Sequence, residues 1–311
     1  MRVVYFGSGA FGVPTFRMLA REHELLAVVT QPDRRAGRGK AVSPTPIASE
    51  AASRIPGLPV LKPERVNEAE VRDRIRAFDA DVWVVIAFGQ KLGRSLLADR
   101  FAMNLHASLL PRWRGAAPIN VAIMAGDAQT GNTVITLAEE MDAGLVLGQS
   151  ARSIEPHVTA GELHDLLAGD GPALVASVLE RRSLGTLEGV EQDAGSVTLA
   201  PKLSKADGWV DFSQSAEACR NRVHGLTPWP GVGVTLGGRP LKLLRVAAES
   251  CGADAAPGTL VDGDGLVACG DGALRLLEVQ PAGKKAMAFS AFARGHSVAA
   301  GEVVRSEREP C

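Results

Sequence analysis

Asn104 and His106 stand two residues apart in Met103-Asn104-Leu105-His106, and Asp142 follows in Glu139-Glu140-Met141-Asp142-Ala143-Gly144. On a strand, residues two apart project from one face, so an amide and an imidazole would meet the same carbonyl. That pair suits stabilising a tetrahedral oxyanion and moving a proton. A carboxylate at Asp142 can orient the imidazole, favour its protonated form and act as a base. Each group has a plainer explanation alone: a strand-end histidine is more often a structural hydrogen-bonding residue, and an aspartate just before Gly144 suits a turn. The loop that follows His106, Ala107–Ala117, is rich in Pro, Gly and Arg and must fold back over the strand end. Such a loop after the histidine, with acidic residues just after another strand, favours chemistry.

The elements that would position them alternate. Val3–Phe6, Leu25–Thr30, Val82–Phe88, Met103–His106 and Thr133–Leu137 read as strands, with Pro14–Arg21, Pro63–Ala77 and Ala117–Met124 as helices between them. Strands separated by helices imply βαβ units and a mainly parallel sheet. Val82–Phe88 is apolar throughout, as a central strand buried on both faces requires. Ligands in such sheets gather at the carboxyl ends of the strands, which points to the residues after Phe6, Phe88 and Leu105. A helix near Ala160–Arg181 is followed by the polar, aperiodic Ser183–Ala206, which reads as a linker. Beyond it, a helix at Ala216–His224 precedes short strands at Gly233–Leu236, Leu241–Val246, Gly258–Val261, Leu266–Ala268 and Leu274–Val279, the pattern of a small antiparallel sheet or barrel.

Composition narrows the class. The 311 residues suggest two domains; 46% hydrophobic and 22% charged residues fit a globular protein with a sizeable core, and a net charge of −1 excludes a globally basic nucleic-acid binder. Cys219, Cys251, Cys269 and Cys311 show no metal-ligand spacing and read as reduced thiols. No apolar run approaches the roughly 18 residues of a membrane span, and Met1-Arg2 leads straight into a strand. A cytoplasmic protein without membrane association is expected. Gly7-Ser8-Gly9-Ala10-Phe11-Gly12 is a literal G-x-G-x-x-G after a strand, which raises a nicotinamide-dependent dehydrogenase as the alternative. The acidic residue that would hold the ribose is missing from the end of the second strand, at Thr30-Gln31, with Asp33 lying beyond. A tight turn that needs small residues for packing is the preferred reading.

Asn104-x-His106-x-Ser108-Leu109-Leu110-Pro111 with Asp142 downstream resembles the signature of the folate-dependent formyltransferases, which move a formyl group from 10-formyltetrahydrofolate to an amine. Further segments resemble the branch of that family whose acceptor is initiator methionyl-tRNA: Thr30–Lys40, Arg112–Ile119, Lys202-Leu203-Ser204-Lys205, Pro228-Trp229-Pro230 and Gln280–Met287. They span both domains. The resemblance implies an α/β Rossmann-type formyltransferase domain over 1–188, a linker over 189–206, and a C-terminal OB-like β-barrel over 207–311 that helps hold tRNA. It gives Asn104, His106 and Asp142 the catalytic places. It sets Ser108, Leu109, Leu110, Pro111, Phe88 and Gly89 around the folate, with the Glu139–Asp142 loop near the pterin and no metal. The first turn is more glycine-rich than the family's usual Gly-Thr-x-x-Phe. An acceptor that is an amino sugar or a nucleotide is the second alternative.

The loop Gln31–Pro46 carries Arg34, Arg35, Arg38 and Lys40 against one acid, Asp33. Such a strip is often only a solvated loop, yet its place after a strand favours gripping the acceptor end of a tRNA. Lys284 and Lys285 are candidate phosphate contacts in the second domain, as are Arg239, Lys242 and Arg245. The chain is expected to act as a monomer.

Overall fold

Val82–Ile86 is buried at all five positions, because helices must cover both faces of a parallel sheet. In the computed structural model, which describes residues 1–36, 41–250 and 255–306, this strand lies near the middle of a seven-stranded sheet. The order is Val146–Ser153, Gln129–Thr136, Ala102–His106, Val82–Ile86, Arg2–Gly7, Glu24–Val29 and Val60–Leu61. Pairings from Ala102–His106 through to Val60–Leu61 are parallel, and Gln129–Thr136 joins antiparallel. From Arg2–Gly7 the chain winds first to Glu24–Val29 and later to Val82–Ile86 on the other side, so this Rossmann-type sheet has its switch point there. The expected mainly parallel sheet is present.

Two compact units interleave along the chain: Met1–Arg114, Gly131–Arg152 and His164–Thr198 form one, and Gly115–Thr130, Ser153–Leu163 and Leu199–Cys311 the other. In the second unit an antiparallel sheet runs Leu266–Ala268, Ala273–Pro281, Arg239–Glu249, Val232–Leu236 and Val304–Arg305, with Met287–Ala288 paired to Ala273–Pro281. Thr259 bridges Val303 and Leu260 bridges Val267. One segment thus touches both edges, and the sheet curls toward the expected OB-like barrel. Its core holds Leu243, Val267, Leu274, Val279, Phe289 and Phe292.

Several boundaries differ from the sequence reading for local reasons. The helix expected over Pro63–Ala77 covers only Ala69–Arg76. Before it, the Gln90 side chain takes the backbone bonds, its Nε2 donating to Pro63 O (3.0 Å) and its Oε1 accepting from Val66 N (2.8 Å). The strand expected over Val82–Phe88 ends at Ile86, because Ala87 turns to a left-handed φ of 47°. Gly258–Val261 forms isolated bridges rather than a strand. Among the described residues no helix is long and apolar enough to cross a membrane, and no group of His, Cys, Asp and Glu could hold a metal.

Candidate active site

His106 ends its strand buried, 6% exposed. Its Nε2 lies 2.9 Å from the Trp113 carbonyl. A carbonyl only accepts, so Nε2 carries a proton. Nδ1 then faces Asp142, 3.6 Å from Oδ2. That separation exceeds a direct hydrogen bond, and both side chains are mostly shielded from solvent. Asn104 sits half-buried two residues earlier, between Val85 and Ile135 in register. Among the described residues its side-chain amide has no hydrogen-bond partner. The sheet therefore brings the amide and the imidazole to one face, and the chain brings Asp142 to the imidazole.

Backbone strain marks the same place. Ala87, Trp113 and Asp142 have φ of 47°, 65° and 55°, a region that non-glycine residues occupy only when their surroundings hold them. Ser108 is fully buried; its hydroxyl donates to Arg112 O (2.6 Å) and its carbonyl accepts from Thr133 Oγ1 (2.6 Å). Leu110 N donates to the Thr133 hydroxyl (3.1 Å), and Leu110 O accepts from Gln149 Nε2 (2.9 Å). The polar groups of Ser108 and Leu110 are thus committed inside the protein, whereas Leu109 and Pro111 are partly exposed. Phe88 is buried, its carbonyl accepting from Ser8 Oγ (3.0 Å) and Gln31 Nε2 (3.2 Å), and Gly89 is exposed. The loop before Gly144 closes tightly: a Cβ there would fall 1.7 Å from Thr136 O.

The Gly7–Gly12 turn has a packing explanation. A Cβ on Gly12 would lie 2.1 Å from the Tyr5 hydroxyl, which donates to Gly12 O (3.0 Å). Ser8 N and Gly9 N both donate to Ala87 O (3.2 and 3.3 Å), so these N–H groups are turned inward and not toward a phosphate. Asp33 is held by Lys62 Nζ at 2.7 and 2.8 Å.

Arg34 and Arg35 lie on the short strand Arg34–Ala36, paired antiparallel with Ala41–Ser43, and Arg34 reaches Gln31 Oε1 (3.4 Å). Arg38 and Lys40 fall outside the described residues. Lys284 and Lys285 are exposed on the turn after Ala273–Pro281. Arg245 instead pairs with Glu162 (2.6 Å), and Lys242 donates to Pro230 O (3.1 Å). Sequence reasoning missed the Trp113 carbonyl and two residues of the supposed linker. Gln192 Nε2 donates to Asp142 O (2.7 Å) and Gly144 O (2.9 Å), and Thr198 Oγ1 accepts from Trp113 N (2.9 Å). No residue type or spacing signals a backbone carbonyl.

An amide and an imidazole at the carboxyl end of a strand in this Rossmann-type α/β sheet, with a carboxylate beside them, are the kinds of group acyl transfer uses. The formyl transferase family matches residues 1–179, and the formyl transferase C-terminal domain matches residues 202–297. The methionyl-tRNA formyltransferase of Acidiphilium cryptum is 46% identical over 305 residues, 97% of this chain and 99% of that one. The enzyme of the same name from Methylococcus capsulatus is 41% identical over 304 residues, covering 96% and 98%. Among solved structures, HypX from Aquifex aeolicus in complex with tetrahydrofolic acid aligns with a TM-score of 0.62 at 18% identity, covering 95% of this chain and 47% of that chain. The N-formyltransferase from Helicobacter canadensis in complex with folinic acid and dTDP-3-aminofucose aligns with a TM-score of 0.68 at 13% identity, covering 90% and 98%. These two likenesses are of fold. The chain belongs to the formyl transferase family, with the methionyl-tRNA formyltransferases.

Proposed function

We propose that this protein transfers the formyl group of 10-formyltetrahydrofolate to the α-amine of initiator methionyl-tRNA, in the cytoplasm and as a monomer. The family relationship along nearly the whole chain supports the substrates. The observation that carries the chemistry is the Asn104 amide, without a hydrogen-bond partner among the described residues, on the same strand face as His106, which lies beside Asp142.

These groups fit a formyl donor. The Asn104 amide can donate to the formyl oxygen, where negative charge gathers as the carbonyl carbon becomes tetrahedral. His106 holds its Nε2 proton on Trp113 O, and only as an imidazolium, with a second proton on Nδ1 beside Asp142 (3.6 Å), would it donate to that oxygen. The amine nitrogen forms the new C–N bond, and Asp142 takes the amine proton. Collapse breaks the bond to N10 of the folate, and the proton held by Asp142 passes to N10. The donor is proposed to lie against Gly89, Leu109 and Pro111, with Phe88, Ser108 and Leu110 fixing their backbone. Residues 1–188 act as the catalytic domain, 189–206 as the linker and 207–311 as the tRNA-binding domain. Arg34, Arg35, Arg38 and Lys40 serve the acceptor end, and Lys284 and Lys285 serve backbone phosphates.

Transfer of a labelled formyl group to methionyl-tRNA, with uncharged tRNA, free methionine and a dTDP-amino sugar as controls, tests the reading. Label on the amino sugar and none on methionyl-tRNA would overturn the acceptor. Asn104→Ala is expected to lower kcat by about 10²–10³, the cost of one oxyanion donor; near-full turnover at saturating substrates would refute its role.

A further inference from the structure

We propose that Val190–Thr198 is a strap that sets the spacing of His106 and Asp142, with Gln192 as its positioning residue. The proposal rests on the reading of His106 and Asp142 as catalytic groups. Gln192 spends its whole amide at the site: two donor bonds to the carbonyls of Asp142 and Gly144, and one acceptor bond from Arg114 Nε (3.0 Å). Arg114 is itself buried, with Nη1 3.6 Å from Glu140 Oε1. The acidic loop is thereby tied at Glu140, Asp142 and Gly144 through one pair of side chains. Asp142 needs such ties, because its left-handed backbone (φ 55°) is unfavourable for an aspartate without external bonds.

The other end of the strap holds the histidine. Thr198 Oγ1 accepts from Trp113 N (2.9 Å), and Thr198 O accepts from Arg114 N (2.9 Å). The carbonyl of that same Trp113 receives His106 Nε2. Between these points the strap is stiffened by Asp193, which caps the Ala194–Ser196 turn through Gly195 N (3.0 Å) and Ser196 Oγ (2.5 Å). Val190 and Val146 exchange both backbone bonds (2.8 and 2.9 Å) and anchor its start. One rigid segment therefore references both partners of the His106–Asp142 pair, so the 3.6 Å separation is a property of the strap as well as of the sheet.

Full-length Gln192→Ala and Gln192→Glu test this. The glutamate keeps the length and a partner for Arg114 but removes both donors, so both variants are expected to lose about 10–100-fold in kcat, as a shift of about 1 Å in a reacting group produces. KM for both substrates is expected to stay at its wild-type value, while the melting temperature falls by a few degrees as the bonds of the amide are lost. Thr198→Val, which deletes the acceptor of Trp113 N–H, is expected to show the same split between kcat and KM. In an Asp142→Asn background, removing Gln192 is expected to cost nothing further, because Gln192 acts through Asp142. Wild-type kcat in Gln192→Glu overturns the proposal, and so does a Gln192 effect that persists undiminished beside Asp142→Asn. Wild-type turnover by Asp142→Asn alone would instead remove the catalytic reading of Asp142, and the strap's role with it.

Discussion

Acidification is expected to loosen the second unit through a single buried histidine. His224 is 1% exposed, and both its nitrogens are engaged in one tautomer. Nδ1–H donates to Pro156 O (3.1 Å), and Nε2 accepts from Val246 N (3.1 Å). Protonating Nε2 would set one N–H against another and place a charge in the core. Burial accordingly pushes the imidazole down from 6.5 to about 4, with nearby Arg245 and Arg220 acting in the same direction. The unfolded chain binds this proton more readily than the folded one, so the contribution to stability is complete above the unfolded value and is lost as the pH falls. From the two values the loss is about 2 kcal/mol at pH ~5 and levels at roughly 3 kcal/mol below pH ~4.

Urea unfolding of wild type and His224→Gln at pH values of about 7.5, 6 and 5 isolates the effect. The glutamine oxygen can still accept from Val246 N–H but does not titrate in this window. The variant is expected to be less stable near neutrality, since Pro156 O loses its donor. The difference between the two proteins is expected to shrink by about 2 kcal/mol on going to pH ~5. Amide exchange in Arg239–Glu249 is expected to accelerate over the same range in wild type only. Parallel stability curves for the two proteins would refute the reasoning, because nothing else distinguishes their titration.

Gly144→Ala is expected to destabilise the protein by more than about 3 kcal/mol, since its methyl would sit 1.7 Å from a backbone oxygen that cannot step aside; thermal melts of the purified variant check this. Gly12→Ala is expected to lower the melting temperature, and Tyr5→Phe in the same chain to restore part of the loss by removing the hydroxyl 2.1 Å from the new methyl. A double mutant without that recovery would show that the clash is not the cause. The Lys284→Ala, Lys285→Ala double variant is expected to weaken binding of methionyl-tRNA and to make its salt dependence shallower by about two phosphate contacts, read by filter binding across a salt series, with turnover at saturating tRNA unchanged.

Much of the fold was legible because burial on both faces leaves a continuous apolar run. Val82–Ile86 and Arg2–Gly7 appear in the sequence almost at their true bounds. Short strands of the second unit are equally visible where turns bound them, as at Leu266–Ala268. The strand Val146–Ser153 was missed, because its alternating burial mixes Gly148, Gln149, Ser150 and Arg152 into an edge position. The glycine turn was correctly read as packing, although only the structure names Tyr5 and Ala87 as the reasons.

The candidate reactive groups stand out in the sequence for a different reason. Few residue types can hold an oxyanion or move a proton, so Asn104 and His106 at a spacing of two stand out. The groups that position them carry no such signature. Two segments share one physical feature: the expected start of the Pro63–Ala77 helix is held by Gln90, and Gln192, within the segment read as a linker, bonds to the Asp142 loop. In each, a glutamine amide replaces the periodic backbone bonds from which secondary structure is inferred. A segment that satisfies its backbone through a distant side chain has no reason to be periodic, so aperiodicity alone does not mark it as free. Val190–Thr198 has the composition of a linker and the bonding of a scaffold, and kinetics on Gln192 can tell which of the two governs turnover.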